Sequence, residues 1–163
     1  PIPKFLMAGT IYYLLTCIQG PLQAIPELNI YWSKNDYIIG HAHMALLGAF
    51  SFFAIAGVYY VIPKIAGRQL FDTKLADQTF WIMFIATIPF FGSLFISGMI
   101  QGQMWLNPEN TFVQTLMATK PWHVIRALSG GFIIVAYFLF VHNILMTLIG
   151  KSKKNQEITE EIS

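Results

Sequence analysis

Four stretches of this chain are long enough to cross a bilayer and contain no Asp or Glu: residues 5–25, 37–62, 79–106 and 124–149. Spanning the hydrocarbon takes about 20 mostly apolar residues. Lipid offers backbone amides no partners, so each stretch must satisfy its own, and each is read as a helix. Alternating segments of about ten residues, the mark of a membrane β-barrel, are absent. The acidic residues Glu27, Asp36, Asp72, Asp77, Glu109, Glu157, Glu160 and Glu161 all fall in the expected loops and tail, as a medium hostile to charge requires.

The expected fold is therefore all-α: a polytopic transmembrane helix bundle over residues 1–150, with a polar cytoplasmic tail at 151–163. Only 11% of residues are charged and 55% are hydrophobic. Soluble domains carry about 25% charged residues, and disordered chains are poor in apolar ones. A net charge of +2, with no basic stripe laced with aromatics, excludes nucleic acid as a partner. Cys17 stands alone, so neither an internal disulfide nor a thiolate cluster can form. The opening Pro-Ile-Pro-Lys has no initiator Met and no cleavable signal pattern, and reads as part of a longer or processed chain.

Four spans put the N-terminus, the middle loop and the tail on one side. That side carries Lys4, Lys64, Arg68, Lys74, Lys151, Lys153 and Lys154; the other carries Lys34, Lys120 and Arg126. The positive-inside rule then places both termini in the cytoplasm. The loops holding Trp32 and Trp122 fall outside, and Trp105 fits an interfacial belt. Pro89, the only proline read as interior, is expected to kink the third helix. Gly98 and Gly102, extended by Ser93 and Ser97, are spaced for close helix packing, as are Gly130 and Gly131.

The most informative local pattern is Gly40-His41-Ala42-His43, at the outer end of the second span. At 3.6 residues per turn, side chains two apart point about 200° apart. The two imidazoles cannot chelate one metal as an i, i+4 pair could. If both are ligands, they serve two centres on opposite sides of one helix, close enough for fast electron transfer. Ala45, Gly48 and Phe52 follow on the face of His41, where small residues leave room for a flat macrocycle. Leu47, Phe50 and Ala54 form an apolar wall below His43. Neutral imidazole is the usual axial ligand of haem iron. The competing reading is a pair of interfacial histidines facing water.

A second cluster, Pro121-Trp122-His123-Val124-Ile125-Arg126, falls on the same side. His123 and Arg126, three apart, share a helix face. Arg126 either pairs with an anion such as a haem propionate or snorkels at the interface. His142 lies deep in the fourth span with no partner in view. Tyr12, Tyr13, Thr16, Tyr59, Tyr60, Thr87 and Gln101 either line a proton path or make ordinary interhelical contacts.

The run DYIIGHAHMALLGAFSFFAIAGVYYVIPKIAGRQLF resembles the tenth helix of haem-copper oxidase catalytic subunits. FVQTLMATKPWHVIRALSGG resembles the loop and last helix of the same subunit, GTIYYLLTCIQGPLQAI its ninth helix, and SGMIQGQMW the outer end of its eleventh. The nearest class is the C-type, cbb3-type cytochrome c oxidase; nitric oxide reductases come second. The resemblance covers residues 4–150.

The resemblance implies roles at matching positions. His41 would ligate the high-spin haem iron and His43 the low-spin haem iron, both haems being b-type. Arg126, with His123, would hold propionates. Copper in the full subunit, or non-haem iron in a reductase, is held by histidines on earlier helices, where the second low-spin ligand and the cross-linked tyrosine also lie. The family's subunit has about twelve spans, each of about 20 residues, so this chain reads as its C-terminal third. No catalytic residue is expected in it, and alone it would be inactive.

The implied function is a respiratory terminal oxidase of the bacterial cytoplasmic membrane. Electrons pass from a c-type cytochrome donor or subunit to oxygen, which is reduced to water with proton uptake. Its partners are the remainder of the subunit and the bilayer. The alternatives are a nitric oxide reductase and, from another class, a non-haem membrane transporter or assembly protein. The missing intramembrane acid argues against a transporter.

Overall fold

The computed structural model describes residues 1–150; the polar tail expected at 151–163 lies outside the described residues. The chain runs through α1 (Ile2–Ala24), α2 (Pro26–Trp32), α3 (Asp36–His43), a π-helical segment (Met44–Phe50), α4 (Ser51–Ala66), α5 (Thr73–Leu106) and α6 (Phe112–Ile149). Among the described residues four helical spans are long and apolar enough to cross a membrane: Ile2–Ala24, Asp36–Ala66, Thr73–Leu106 and Phe112–Ile149. The all-α, four-span bundle expected from the charge-free runs is what forms.

α5 and α6 start further out than hydropathy indicates, because caps rather than apolarity start them. Asp72 opens α5 by accepting the Lys74 and Leu75 amides on Oδ1, at 2.7 and 3.1 Å. Thr111 and Gln114 form a reciprocal capping box that opens α6, twelve residues before the apolar run at 124. Trp122, expected in a loop, therefore sits within α6 together with His123 and Arg126, and Trp32, also expected in a loop, ends α2. Thr111→Ala is expected to lower stability by about 1 kcal/mol, the usual effect of losing an N-cap side chain. A thermal melt of the intact complex identical to wild type would contradict this role.

Pro89 lies inside a continuous α5, but it is not the only interior proline: Pro21, Pro63 and Pro121 also lie within helices. α4 ends at Gly67, whose φ of 61° is the left-handed conformation that glycine adopts without steric penalty.

The core is aromatic and joins α1, α4 and α5. Phe5 meets Phe80 edge-on at 5.1 Å and Phe52 at 5.7 Å. Tyr12 meets Phe91 edge-on at 5.3 Å, the arrangement favoured by ring quadrupoles. α6 joins through Phe140, perpendicular to Tyr59 at 5.2 Å. At one end of the bundle Lys4 of α1 pairs with Asp77 of α5 at 2.5 Å. At the same end Asn143 brackets the backbone of Asp72, donating to its carbonyl at 2.8 Å and accepting from its amide at 3.2 Å.

The small residues of α5 act as expected. A Cβ on Gly98 would overlap the Tyr37 backbone, and one on Gly102 the Tyr31 carbonyl. A Cβ on Gly130 would make ordinary contact with Phe90 at 3.5 Å, whereas one on Gly131 would meet open space; the close packing expected of that pair does not form among the described residues.

Candidate functional site

The second span is not a single regular helix. Directly after His43 the backbone widens into seven π-helical residues, Met44–Phe50, and the Ser51 amide bonds the Leu46 carbonyl five residues back. π segments are uncommon and often occur at functional positions. The change of turn breaks the constant 100° step used to project faces below the histidines. Gly48 does not leave room for a macrocycle: a Cβ there would lie 3.0 Å from the Tyr12 ring and 3.2 Å from Phe91, so this chain's own rings occupy that space. Phe50 and Ala54, below His43, do face outward.

His41 and His43 occupy the last turn of α3 and leave on different flanks. His41 turns toward α1, where its Nδ1 lies 3.1 Å from Gln19 Oε1. His43 lies beside α5, its ring 5.6 Å from that of Phe90, and is exposed on the described chain. Its Nδ1 lies 2.8 Å from the Ile39 carbonyl. A carbonyl only accepts, so Nδ1 carries a proton and, in the neutral ring, Nε2 keeps its lone pair. The same holds for His41 with Gln19 Oε1 as acceptor. Hydrogen bonds of this kind orient ligating histidines and fix their tautomer. In the sequence Gln19 stood out only as one of two primary amides, with Gln23, in the first span.

Close to the pair lies a buried polar cluster that the sequence did not reveal. Asp36, assigned to a loop, is the first residue of α3 and only 7% exposed. Its Oδ2 accepts from Ser97 Oγ at 2.6 Å and Gln101 Nε2 at 3.1 Å. Gln101 Oε1 accepts the Asp36 amide at 2.8 Å. His123 Nε2 stands 3.7 Å from the same Oδ2, an ion-pair separation too long for a hydrogen bond. Arg126 is half-buried one turn along α6 and forms no ion pair among the described residues. His142 is remote from both clusters and stands edge-on to Phe71, 6.2 Å between ring centres.

The candidate proton-path residues do not form one line. Tyr12 and Thr87 share a buried hydrogen bond of 2.7 Å, Gln101 belongs to the Asp36 cluster, and Tyr13 and Tyr60 are exposed. Among the described residues no three His, Cys, Asp or Glu gather into a metal-holding group. The arrangement offers separate imidazole nitrogens on two flanks of one helix rather than a chelate.

A family model described as cytochrome c and quinol oxidase polypeptide I matches residues 1–133. Over 155 residues, 91% of its length, the chain is 30% identical to the cbb3-type cytochrome c oxidase subunit CcoN1 of Stutzerimonas stutzeri, 33% of which is covered. It is 27% identical over 155 residues to the bacteroid cytochrome c oxidase subunit 1 homolog of Bradyrhizobium diazoefficiens, covering 28% of that protein. A shorter match, 36% identical over 83 residues, is to cytochrome c oxidase subunit 1 of Corynebacterium diphtheriae. The chain spans about a third of the length of the first two relatives. Four membrane-spanning helices, the histidine pair on α3 and a family match over most of the chain place it in the subunit I family of cytochrome c and quinol oxidases.

Proposed function

We propose that this chain forms the part of a respiratory terminal oxidase's catalytic subunit that gives one axial ligand to each of two b-type haems. The observation that carries the reading is the state of the two imidazoles. Each has Nδ1 satisfied by an oxygen acceptor, Gln19 Oε1 or the Ile39 carbonyl. In the neutral ring each thus keeps an Nε2 lone pair available, on a different flank of α3. The donor set fits haem iron, which takes a neutral axial imidazole. It fits less well a water-facing pair, in which tautomer and ring orientation would be left free.

When bound, each haem supplies a redox-active iron whose potential follows its axial ligand and surroundings. His41 would hold the high-spin haem and His43 the low-spin one. Gln19 orients His41, and the Ile39 carbonyl orients His43. Arg126, with His123 three residues before it, would meet the propionates by charge-assisted bonds. Copper would be held by residues of the full subunit beyond those described. There, electrons from a c-type cytochrome would reach oxygen, reduced to water with proton uptake. Both ends of the described chain would face the cytoplasm, on the strength of its Lys and Arg distribution.

The names of the relatives favour an oxidase over a nitric oxide reductase. Metal analysis and an absorption spectrum of the purified intact complex test the proposal. Iron and copper together with a haem Soret band are expected. Iron without copper would turn the reading to the reductase, and a missing Soret band would favour the non-haem class.

A further inference from the structure

α3 is a short unit, only eight residues long. The π segment after His43 separates its rotational phase from that of α4, whose face is held by Phe52, Ile55 and Tyr59 in the core. In a regular helix, core packing of α4 would dictate where the histidines point. Here the π turns shift that phase, and α3 has contacts of its own that bear on its position.

Those contacts lie at its first turn. Gln101 grips Asp36 twice, accepting from the backbone amide and donating to the carboxylate. Ser97, one turn earlier on α5, donates to the same Oδ2. Between these two side chains the backbone of Tyr37 lies so close to Gly98 that a Cβ there would overlap it, so α3 and α5 approach backbone to backbone at this point. Asn35 caps α3 through the Tyr37 amide at 2.9 Å and ties the corner to the Tyr31 carbonyl at 2.6 Å. Trp32 stacks on Tyr37 at 4.4 Å. The Tyr37 hydroxyl accepts from Gln19 Nε2 at 3.3 Å, and Gln19 Oε1 meets His41. A continuous set of hydrogen bonds and packed groups thus leads from Gln101 to the imidazole. The backbone of Asp36 lies about 7.5 Å along the helix axis from that of His41, five residues at about 1.5 Å each.

From this geometry we infer that Asp36 is a positioning residue. Clamped by Ser97 and Gln101, it sets the height and roll of α3 and so the orientation of the His41 and His43 rings. The inference rests on the haem-ligand reading above. Its chemical basis is acceptor geometry rather than charge: both α5 donors converge on one oxygen, which a carboxamide oxygen can replace.

The experiment uses the intact, haem-loaded complex and compares Asp36→Ala, Asp36→Asn and Gln101→Leu with wild type. The readout is the low-spin haem electron paramagnetic resonance signal, whose g values report axial-ligand orientation, together with haem content. Asp36→Ala and Gln101→Leu are expected to shift the g values by more than the line width while haem is retained. Asp36→Asn is expected to restore the wild-type signal. Wild-type g values in both Asp36→Ala and Gln101→Leu overturn the clamp, and so does an Asn variant as displaced as the Ala variant, because charge would then be the agent. If Asp36→Ala does not assemble, Gln101→Leu decides alone, since it leaves the Asp36–Ser97 bond in place. An unmutated complex without any low-spin haem signal would defeat the haem reading and the clamp together, whereas unchanged variants defeat the clamp only.

Discussion

Replacing His43 by Ala is expected to remove the low-spin haem signal from the intact complex and leave the high-spin signal in place. His41→Ala is expected to do the reverse. The assignment of each histidine to its iron comes from family resemblance; the expectation that the two losses are separable comes from geometry. The rings leave α3 on different flanks, one toward Gln19 of α1 and the other beside Phe90 of α5. As an axial ligand each imidazole would hold its iron by a coordinate bond that the surrounding packing does not replace, so the expected effect is loss of a cofactor rather than a shift in its properties. Optical spectra with each haem reduced in turn provide the measurement. Retention of both haems in either variant would refute the ligand assignment. Loss of both in each would show that the histidines serve a shared structural role.

The second large effect belongs to the glycines of α5. Gly98→Ala and Gly102→Ala are expected to weaken the complex by at least the roughly 1–3 kcal/mol typical of overpacking. In each case the added methyl would meet backbone, of Tyr37 or Tyr31, which cannot rotate aside as a side-chain end can. Small residues let helix backbones approach closely where lipid gives no hydrophobic drive for association. Gly130→Ala makes the control: its Cβ would find Phe90 at an ordinary 3.5 Å, and alanine is the better helix former. The temperature at which the complex releases haem should fall for the first two variants and not for the third. Equal melting of all three would mean that α2 and α3 stand further from α5 than these two backbone approaches require.

The sequence made the spans legible because the membrane enforces one rule everywhere: no acid in lipid and no unsatisfied backbone. That rule acts residue by residue and needs no knowledge of neighbours. The histidine pair was legible for a similar reason, since two residues on one helix have an angular relation set by their spacing alone. Legibility ended where one element had to meet another. Asp36 looked like a loop acid because hydropathy scores a carboxylate the same whether it faces water or a Ser–Gln pair on the next helix. MALLGAF carries no residue that distinguishes a π turn from an α turn, so the face projected below His41 drifted, and Gly48 proved to lie under Tyr12 and Phe91. Helix starts were misplaced where a cap, such as Thr111 with Gln114, overrode a drop in apolarity.

By itself, then, the sequence determined a four-span helical bundle, the angular divergence of His41 and His43, and a family resemblance that the comparisons bear out. Only the tertiary structure decided what orients those histidines. Gln19 and Asp36 act through partners 22 and 65 positions away along the chain. Whether such a polar group is a solvated end or a buried anchor depends on which helix folds against it.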